Sequence, residues 1–362
     1  MKKVLILANS SNGLYGFRNE LLLELLKKYE VYVSLPEEVN RKELEEEGCR
    51  FILTPMNRRG MNPFEDLKLC RRYLKILKEV KPDLVLTYTI KPNIYGGICC
   101  RQKNIPYMAT ITGLGTAFQK KGLLRSLIVC LYRKGLKKAA RVFFQNKENR
   151  KTMSDCRIVQ EKQCVPVNGS GVNTEIHSYR EYPDNEETHF LFVGRVMREK
   201  GINEFLDAAG KLKNEKVFFD IVGDCDEDYE EQLRKLEQRG IITWYDFQMN
   251  VDPFYERCSA LVLPTYHEGM SNVLMEASAS GRPVLASNIS GCREIFEEGV
   301  TGFGFSPRDS ESLIRALKKF LTLPIEERRA MGYNARVKME KEFNRQGVVQ
   351  TYLEQIEKII NE

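Results

Sequence analysis

Three features are scarce in this sequence of 362 residues, and each scarcity excludes a class of protein. Its three histidines, His177, His189 and His267, are too far apart in sequence to suggest a metal cluster. None of the ten cysteines forms a C-x-x-C unit, so neither a zinc site nor a disulfide framework is indicated and a reducing compartment is expected. No apolar run approaches the roughly 20 residues of a membrane span.

What is present is an ordinary globular composition, with 42% hydrophobic and 29% charged residues. The length predicts two domains. The apolar run at the start is too short for a signal peptide and predicts a first buried strand.

Charge is distributed unevenly along the chain. Residues 1–176 contain 32 Lys and Arg against 17 Asp and Glu, whereas the remainder contains 24 against 33. Most of the positive excess lies in residues 51–150, where 21 basic residues accompany 5 acidic ones. This asymmetry predicts an anionic partner for the first half: nucleic acid, a lipid surface or a phosphorylated substrate.

Short apolar runs alternate with amphipathic stretches in both halves, beginning with a strand at Val4–Ala8 and a helix at Phe17–Lys28. The pattern restarts at His189–Val193 after a polar stretch. Such alternation predicts an α/β fold with two doubly wound Rossmann-like domains and parallel sheets. We place the domains at 1–172 and 173–344, with the C-terminal helix at about 345–362 packing back on the first. Ligands are expected in a cleft at the carboxyl ends of the strands.

The most informative segment runs from His267 to Glu276, between a strand-like and a helix-like run. A turn of this kind directs backbone N–H groups and a helix dipole at an anion, most often a phosphate. The carboxylates of Glu268 and Glu276 flank it and are suited to accept hydrogen bonds from sugar or ribose hydroxyls. The segment therefore predicts a nucleotide-sugar site. The residues of its turn are Gly269, Met270, Ser271, Asn272 and Val273, and the N–H groups of the last three are predicted to hold the phosphate.

Further motifs in the second half lie in a specific order: Gly194 and Arg195 followed by Lys200 and Gly201, then residues 221–224, then the two-glutamate segment, then residues 281–284 and 291–302. This series resembles the retaining glycosyltransferases of family 4. The resemblance implies the GT-B architecture of two Rossmann-like domains facing a cleft.

The first half resembles a narrower bacterial subgroup through residues 57–63, 87–97 and 111–118. Members of this subgroup include the N-acetylgalactosaminyl transferase of bacterial N-glycan assembly and related capsule and exopolysaccharide enzymes. The resemblance implies an acceptor saccharide linked to a polyprenyl diphosphate.

Three side chains are predicted to be catalytic: Arg195, Lys200 and Glu268. The cations would stabilise the charge that grows on a diphosphate leaving group, although a solvated basic turn is the alternative. Glu268 would accept hydrogen bonds from the sugar and stabilise a developing oxocarbenium ion. By resemblance, Glu276 accepts the two ribose hydroxyls; the alternative is a glutamate that complements the helix dipole.

Other predicted donor contacts are weaker. Gly13 and Arg18 belong to the first strand–helix turn, where the family often has a double glycine that approaches the diphosphate. Thr112 takes the position where many members have a histidine. Phe247 is predicted to border the base. His267 either orients the sugar or is structural, as a lone histidine more often is.

Two further segments can each be interpreted in two ways. Asp224, Asp226 and Asp228 have the D-x-D spacing of a metal site in another glycosyltransferase fold, but we interpret them as an acidic surface loop and expect no metal and no other cofactor. The basic, leucine-rich stretch 120–138 is either a helix on an anionic membrane surface or a core helix with a basic outer face.

The sequence thus predicts a metal-independent retaining transferase on the cytoplasmic face of the bacterial plasma membrane. It would move a hexosamine or hexose from a UDP-sugar to an undecaprenyl-diphosphate-linked saccharide. A GT-B enzyme with a soluble acceptor and a non-catalytic nucleotide-sugar-binding protein are the alternatives. Nucleic acid is not expected, because no binding module is recognisable.

Overall fold

The computed structural model describes residues 1–57, 60, 62–115, 118, 122–184, 186–214 and 216–361. Parts of three predicted segments therefore lie outside the described residues: Arg58, Arg59 and Met61, Thr116 and Ala117, and Lys120 and Lys121 at the start of the basic stretch. The chain divides into two compact units. Unit one comprises residues 1–170 and 346–362, and unit two comprises residues 171–345.

Unit one is built on a parallel sheet of seven strands with the order β3-β2-β1-β4-β5-β6-β7. The strands are β1 (Lys3–Leu7), β2 (Glu30–Leu35), β3 (Arg50–Leu53), β4 (Leu84–Tyr88), β5 (Tyr107–Ile111), β6 (Arg141–Phe144) and β7 (Cys164–Pro166). The helices are α1 (Ser11–Leu26), α2 (Arg41–Glu46), α3 (Pro63–Val80), α4 (Gly97–Lys103), α5 (Leu123–Leu136) and α6 (Lys147–Asp155), with a π-helical turn at Pro92–Gly96.

Helix α1 begins six residues before the predicted Phe17. The reason is its N-cap: the Ser10 hydroxyl accepts a hydrogen bond from the Gly13 amide at 3.1 Å and so starts the helix early. Helix α3 starts in a similar way, with Asn62 as the N-cap and proline at the first position.

Two apolar cores cover the faces of this sheet. The C-terminal helix α13 (Arg345–Asn361) contributes Val348, Tyr352 and Ile356 to the core that also contains helix α1. The inner strands β1, β4, β5 and β6 are apolar and largely buried along their length, as expected when helices cover both faces of a parallel sheet.

Unit two is built on a parallel sheet of six strands with the order β10-β9-β8-β11-β12-β13. The strands are β8 (Thr188–Val193), β9 (Val217–Val222), β10 (Thr243–Trp244), β11 (Ala260–Leu263), β12 (Val284–Ser287) and β13 (Gly302–Phe305). The helices are α7 (Ile202–Leu212), α8 (Glu230–Gln238), α9 (Asp252–Arg257), α10 (Asn272–Ala279), α11 (Ser310–Leu321) and α12 (Ile325–Glu342).

Two doubly wound parallel sheets confirm the predicted fold class. In each sheet the strand order reverses once, between β1 and β4 in unit one and between β8 and β11 in unit two. The loops that follow these paired strands diverge to opposite faces of the sheet. In sheets of this type, ligands bind at the crevice that this divergence opens.

Candidate functional site

Two loops of unit two meet where strands β8 and β11 lie side by side. The first, residues 194–201, carries Arg195 and Lys200; the second, residues 264–271, carries Glu268. The backbone joins them, because the Tyr266 amide donates to the Glu199 carbonyl at 2.9 Å. Gly201 has a φ of +76°, and a side chain there would overlap the Pro264 carbonyl. The glycine after Lys200 is thus required for the close approach of the two loops.

Lys200 and Glu268 form an ion pair across this junction. Lys200 Nζ lies 2.5 Å from Glu268 Oε1, and the two side chains are only 24% and 13% exposed. Such limited exposure strengthens a charge-assisted hydrogen bond relative to one at the open surface. The sequence prediction grouped these two residues in one catalytic set, and the structure brings them into direct contact.

Arg195 lies in a second ion pair that the sequence analysis missed. Its Nη1 atom donates to Asp226 Oδ2 at 2.5 Å, and the arginine is half exposed. Asp226 belongs to the D-x-D segment after strand β9, which we interpreted as an acidic surface loop. The backbone explains the contact: the Val196 amide donates to the Asp224 carbonyl, and the Asp226 amide donates to the Val196 carbonyl. This acidic loop therefore orients a predicted catalytic cation.

The described residues contain no group of three or more His, Cys, Asp or Glu side chains arranged to hold a metal ion.

Glu276 lies in the second turn of helix α10 and is nine-tenths buried. Its Oε2 atom accepts a hydrogen bond from the Tyr255 hydroxyl at 3.0 Å. Burial, and then the charge of Glu276, raise the pKa of Tyr255 well above its ordinary value, so this hydroxyl stays a donor. Among the described residues no partner binds the other oxygen, Oε1, which leaves one face of the carboxylate for a ligand.

Tyr255 is itself held by a buried cation. Arg282 is fully buried and its Nε donates to the Tyr255 carbonyl at 2.6 Å. Its Nη2 atom donates to the carbonyls of Arg180 and Glu181. The sequence did not predict the hydrogen bond between Tyr255 and Glu276. The two residues are 21 positions apart, and nothing in the sequence distinguishes Tyr255 from other buried aromatic residues.

The start of helix α10 differs from the prediction in one respect. The Ser271 amide donates to the Gly291 carbonyl at 2.9 Å, and the Ser271 hydroxyl caps the helix by accepting from the Leu274 amide. This amide is therefore not available to a phosphate, contrary to the prediction. The helix itself begins at Asn272, so its first-turn amides belong to Asn272, Val273 and Leu274, and that of Leu274 is already used by the Ser271 cap.

A tight turn at Gly291 packs against the loop that carries Glu268. Gly291 has a φ of +88°, and a Cβ atom there would lie 2.7 Å from the Glu268 carbonyl oxygen. Glu294 fastens the turn through hydrogen bonds from the Gly291 amide and the Ser290 hydroxyl. The glycine of this predicted family motif is thus explained by contact with the backbone of Glu268.

The remaining predicted residues of unit two are spread over the same edge. Gly269 and Met270 are buried in the loop, whereas His267 is exposed. Phe247 is 60% exposed after strand β10. The preceding Asp246 has a φ of +53°, which accounts for the glycine that the family usually has there.

The predicted residues of unit one lie differently from expectation. Gly13 and Arg18 are inside helix α1, and the Gly13 amide is used by the Ser10 cap rather than by a loop that approaches a diphosphate. Arg18 is buried between the rings of Tyr88 and Tyr352. Thr112 directly follows strand β5 and is half-buried. Each of these stays a prediction as a donor contact.

Comparison with known proteins identifies the family. Residues 3–146 match the family described as glycosyl transferase 4-like, and residues 174–338 match glycosyl transferases group 1. The chain is a family 4 glycosyltransferase. These matches confirm the resemblance predicted from the motifs, and they cover both units.

Two curated relatives span most of this glycosyltransferase. It is 26% identical over 334 residues to the N,N'-diacetylbacillosaminyl-diphospho-undecaprenol alpha-1,3-N-acetylgalactosaminyltransferase of Campylobacter jejuni, covering 87% of this chain and 88% of the relative. It is 23% identical to the capsular polysaccharide biosynthesis glycosyltransferase CapM of Staphylococcus aureus, covering 95% and 94%.

Solved structures share its fold. Anabaena HepE in complex with UDP superposes with a TM-score of 0.79 at 17% identity, over 99% of this chain and all of that one. The same protein with UDP-glucose gives 0.80 at 18% identity over 99% and 100%. No helix among the described residues is both long and apolar enough to cross a membrane.

Proposed function

We propose that this glycosyltransferase moves a hexosamine or hexose from a UDP-sugar to an undecaprenyl-diphosphate-linked saccharide with retention of anomeric configuration. The observation that carries the proposal is the contact of Lys200 with Glu268 at the β8/β11 crevice, beside the helix on which Tyr255 holds Glu276. A cation, two carboxylates and a helix N-terminus at one strand edge suit the three parts of a nucleotide sugar: diphosphate, sugar and ribose.

The cations would act on the leaving group. Lys200 uses one of its three N–H donors on Glu268, and Arg195 uses one nitrogen on Asp226. The remaining donors are available to diphosphate oxygens, and the two acids fix the direction in which the cations point. Charge that grows on the leaving phosphate is then stabilised by groups that need no reorganisation.

The carboxylates would bind hydroxyl groups. The Oε1 atom of Glu276, for which the described part of the chain supplies no partner, suits the ribose, since the Tyr255 hydroxyl already fixes the orientation of the carboxylate. Glu268 keeps one oxygen beyond its contact with Lys200 and would accept from the transferred sugar. Its negative charge also stabilises positive charge that develops at the anomeric carbon.

The reaction balances without a metal or a covalent intermediate. The C1–O bond to the diphosphate breaks, and UDP leaves with the electron pair. An acceptor hydroxyl oxygen then forms the new bond on the same face, and its proton passes to the leaving phosphate. Retention by this route follows the family resemblance.

The names of related proteins support the choice of donor and acceptor. The Campylobacter relative is named for a diphospho-undecaprenol acceptor and an N-acetylgalactosaminyl donor group. The Anabaena structures hold UDP and UDP-glucose.

Helix α5 supports action at the inner face of the bacterial plasma membrane. Leu123, Leu124 and Leu127 are exposed in its first half. Exposed Arg133 and Lys134 follow in its second half, and Lys137 and Lys138 lie just beyond it. Exposed leucines beside cations suit binding to an anionic lipid surface. Sedimentation with anionic and neutral vesicles tests this, and equal binding to both would count against it.

The function is tested by a panel of UDP-sugars with lipid-linked acceptor extracts, scored by released UDP. We expect one UDP-sugar to give acceptor-dependent release. Release only with soluble saccharides would favour the soluble-acceptor alternative. Binding of UDP without turnover on any acceptor would favour a nucleotide-sugar-binding protein, and response only to GDP-sugars would overturn the donor.

A further inference from the structure

Two thiols of unit one lie against each other. Cys70 is on helix α3 and Cys99 is on helix α4. Cys99 Sγ lies 3.5 Å from the Cys70 carbonyl oxygen, and the two thiols also share a hydrogen bond. Both residues are free cysteines. The proposed transfer reaction uses neither of them, so this nucleophilic pair has no role in it.

The two thiols differ in exposure and in acidity. Cys70 is half-buried, whereas Cys99 is only 1% exposed. The hydrogen bond from Cys99 lowers the pKa of Cys70, while the same bond and then burial raise the pKa of Cys99. An accessible thiol that ionises more readily than usual is the one that an oxidant attacks first. The buried thiol beside it is placed to react second.

Helix α3 and the segment 91–99 hold this pair in a fixed register. The Tyr95 hydroxyl donates to Asp66 Oδ2 at 2.8 Å, and Lys91 Nζ lies 2.7 Å from Asp66 Oδ1. Asp66 precedes Cys70 by one helical turn, and Tyr95 precedes Cys99 by the same number of residues. The polar contact and the thiol contact are therefore successive links between the same two segments.

Helix α4 is also closed in from its other side. It packs against both helix α3 and helix α5. A side chain at Gly97 would overlap the carbonyl of Gly135 on helix α5, so these two helices approach each other without room for a side chain. Helix α4 therefore cannot move away from α3 in that direction, and the contact between Cys70 and Cys99 is maintained.

Cys100 adjoins Cys99 in sequence but does not share its position. Consecutive residues of a helix do not face each other. Burial raises the pKa of Cys100 to about 12, so this thiol stays protonated. The thiol that the fold brings to Cys99 therefore comes from another helix and not from the neighbouring residue.

An accessible, readily ionised thiol in register with a buried one is the arrangement of an oxidisable pair. In reducing compartments, disulfides of this kind are transient and respond to oxidants. We propose that Cys70 and Cys99 form a reversible disulfide when a hydroperoxide reaches Cys70.

The reaction balances with hydrogen peroxide as the oxidant. The Cys70 thiolate attacks one peroxide oxygen, the O–O bond breaks, and the departing hydroxide takes up the thiol proton and leaves as water. Cys99 sulfur then attacks the Cys70 sulfenic acid. An S–S bond forms, the S–O bond breaks, and the Cys99 proton leaves with that oxygen as a second water. Both sulfurs are oxidised, both peroxide oxygens are reduced, and two molecules of a small thiol reverse the change.

Peptide mass spectrometry of the full chain tests this proposal. The protein is treated with hydrogen peroxide, its remaining thiols are alkylated, and it is digested without reductant. We expect a linked peptide pair that contains Cys70 and Cys99 and is lost after treatment with dithiothreitol. Cys130, an exposed thiol of helix α5, is the internal reference. It should be oxidised about tenfold more slowly than Cys70, because it lacks a neighbouring thiol donor of this kind in the proposed pair.

Cys99→Ala and Cys100→Ala are matched variants. They truncate adjacent buried thiols of one helix, so their cost to folding should be similar. Cys100→Ala should still form the linked peptides. Cys99→Ala should lose them and accumulate a sulfenic acid at Cys70, which dimedone traps. A linkage that survives in Cys99→Ala would overturn the assignment of Cys99.

Thermal melting of the wild type supplies an independent readout. A bond between Cys70 and Cys99 closes a loop in the unfolded chain, so the oxidised protein should melt several degrees above the reduced protein. Peroxide treatment of Cys99→Ala should give no such rise. Oxidation of Cys70 and Cys130 at equal rates, with no linked peptides and no rise in melting temperature, would overturn the proposal.

Discussion

The two units use the same crevice of the same fold but treat charge in opposite ways. In unit two, each predicted cation is paired with an acid: Lys200 with Glu268 and Arg195 with Asp226. In unit one, Arg18 lies between two tyrosine rings and no carboxylate contacts it within the described residues. A doubly wound sheet therefore sets the location of a binding site but not its electrostatics.

The difference indicates different tasks. In unit two, the paired acids fix the orientation of each cation before a ligand binds. A bound ligand would contact cations that already carry an acid partner. Such preorganised groups suit the stabilisation of charge that develops during a reaction. Arg18 of unit one is held by two aromatic rings instead, and no acid orients it within the described residues. The predictions below test this contrast, from the largest expected effect to the smallest.

Glu276→Ala should have the largest effect. It removes the carboxylate proposed to accept two ribose hydroxyls, and hydrogen bonds to a charged group are worth about 1.5–3 kcal/mol each. Transfer, measured as released UDP, should fall by roughly 10²–10⁴-fold in kcat/KM. Glu230→Ala, at an exposed glutamate of helix α8, should be unchanged. Intact turnover in Glu276→Ala would show that the ribose is bound elsewhere.

Lys200→Ala should come next. It removes a cation from the leaving group and leaves Glu268, only 13% exposed, without its partner. We expect kcat to fall about a hundredfold, within the range for loss of one preorganised charge-stabilising group. Lys211→Ala is the control, since Lys211 pairs with Glu311 on the exposed surface of the same unit. A similar loss in both variants would assign the effect to general destabilisation.

Tyr255→Phe tests whether a positioning residue acts through Glu276. Loss of the 3.0 Å hydrogen bond lets the carboxylate turn, so the KM for the donor should rise about tenfold, as expected for about 1.4 kcal/mol. The kcat should change by less than about threefold, because the leaving-group cations are untouched. Tyr182→Phe, which removes another buried tyrosine hydroxyl of unit two, should leave KM unchanged. If kcat fell and the KM for the donor stayed the same, Tyr255 would not act by positioning Glu276.

Asp226→Asn should have a smaller effect of opposite sign. Neutralising this acid releases charge on Arg195, which is half exposed and therefore partly screened by solvent. Calorimetry should show UDP binding two- to fivefold more tightly at low salt, with the gain lost at high salt. Weaker binding at every salt concentration would mean that orientation by Asp226 outweighs the charge it cancels.

The smallest effect concerns pH and lies at the opposite edge of unit two. Asp220 accepts a hydrogen bond from His189 Nδ1 at 2.8 Å, and this bond raises the pKa of His189 above its ordinary value. The stabilisation is therefore full below about pH 6.5 and is lost as pH rises through the folded-state pKa.

Denaturant titrations of wild type and His189→Gln test this effect. Their difference in unfolding free energy should shrink between pH 6 and pH 8 by less than about 1 kcal/mol. Transfer should keep the same pH profile in both proteins. A gap that widened with pH would reverse the sign of the assignment.

Sequence patterns predicted the parts of this molecule that depend on short-range signals. Buried apolar strands and the turn before helix α10 are local features, so the two parallel sheets and the start of that helix were close to expectation. Short elements without a strong period, such as α6, α9 and β13, give no such signal. The predicted start of helix α1 was too late. Gly13 and Gly16 are weak helix formers, and they made the residues after the Ser10 cap look unlike a helix.

The site was predictable only where its chemistry lies in one segment or a known motif. Lys200 and Glu268, which the motifs placed in one predicted set, are in contact because they follow strands that pair. Tyr255 and Asp226 were not, since their roles arise from contacts 21 and 31 residues distant in sequence that periodicity does not encode. The burial of Arg18 depends on helix α13, more than 300 residues further along the chain.

The central claim is that unit two binds the nucleotide through Glu276. Calorimetric titration of uridine, which carries the ribose but no diphosphate, tests it in the wild type, Glu276→Ala and the control Glu230→Ala. The account predicts that Glu276→Ala loses uridine binding while Glu230→Ala retains it at wild-type affinity. Unaltered uridine affinity in Glu276→Ala would contradict the account.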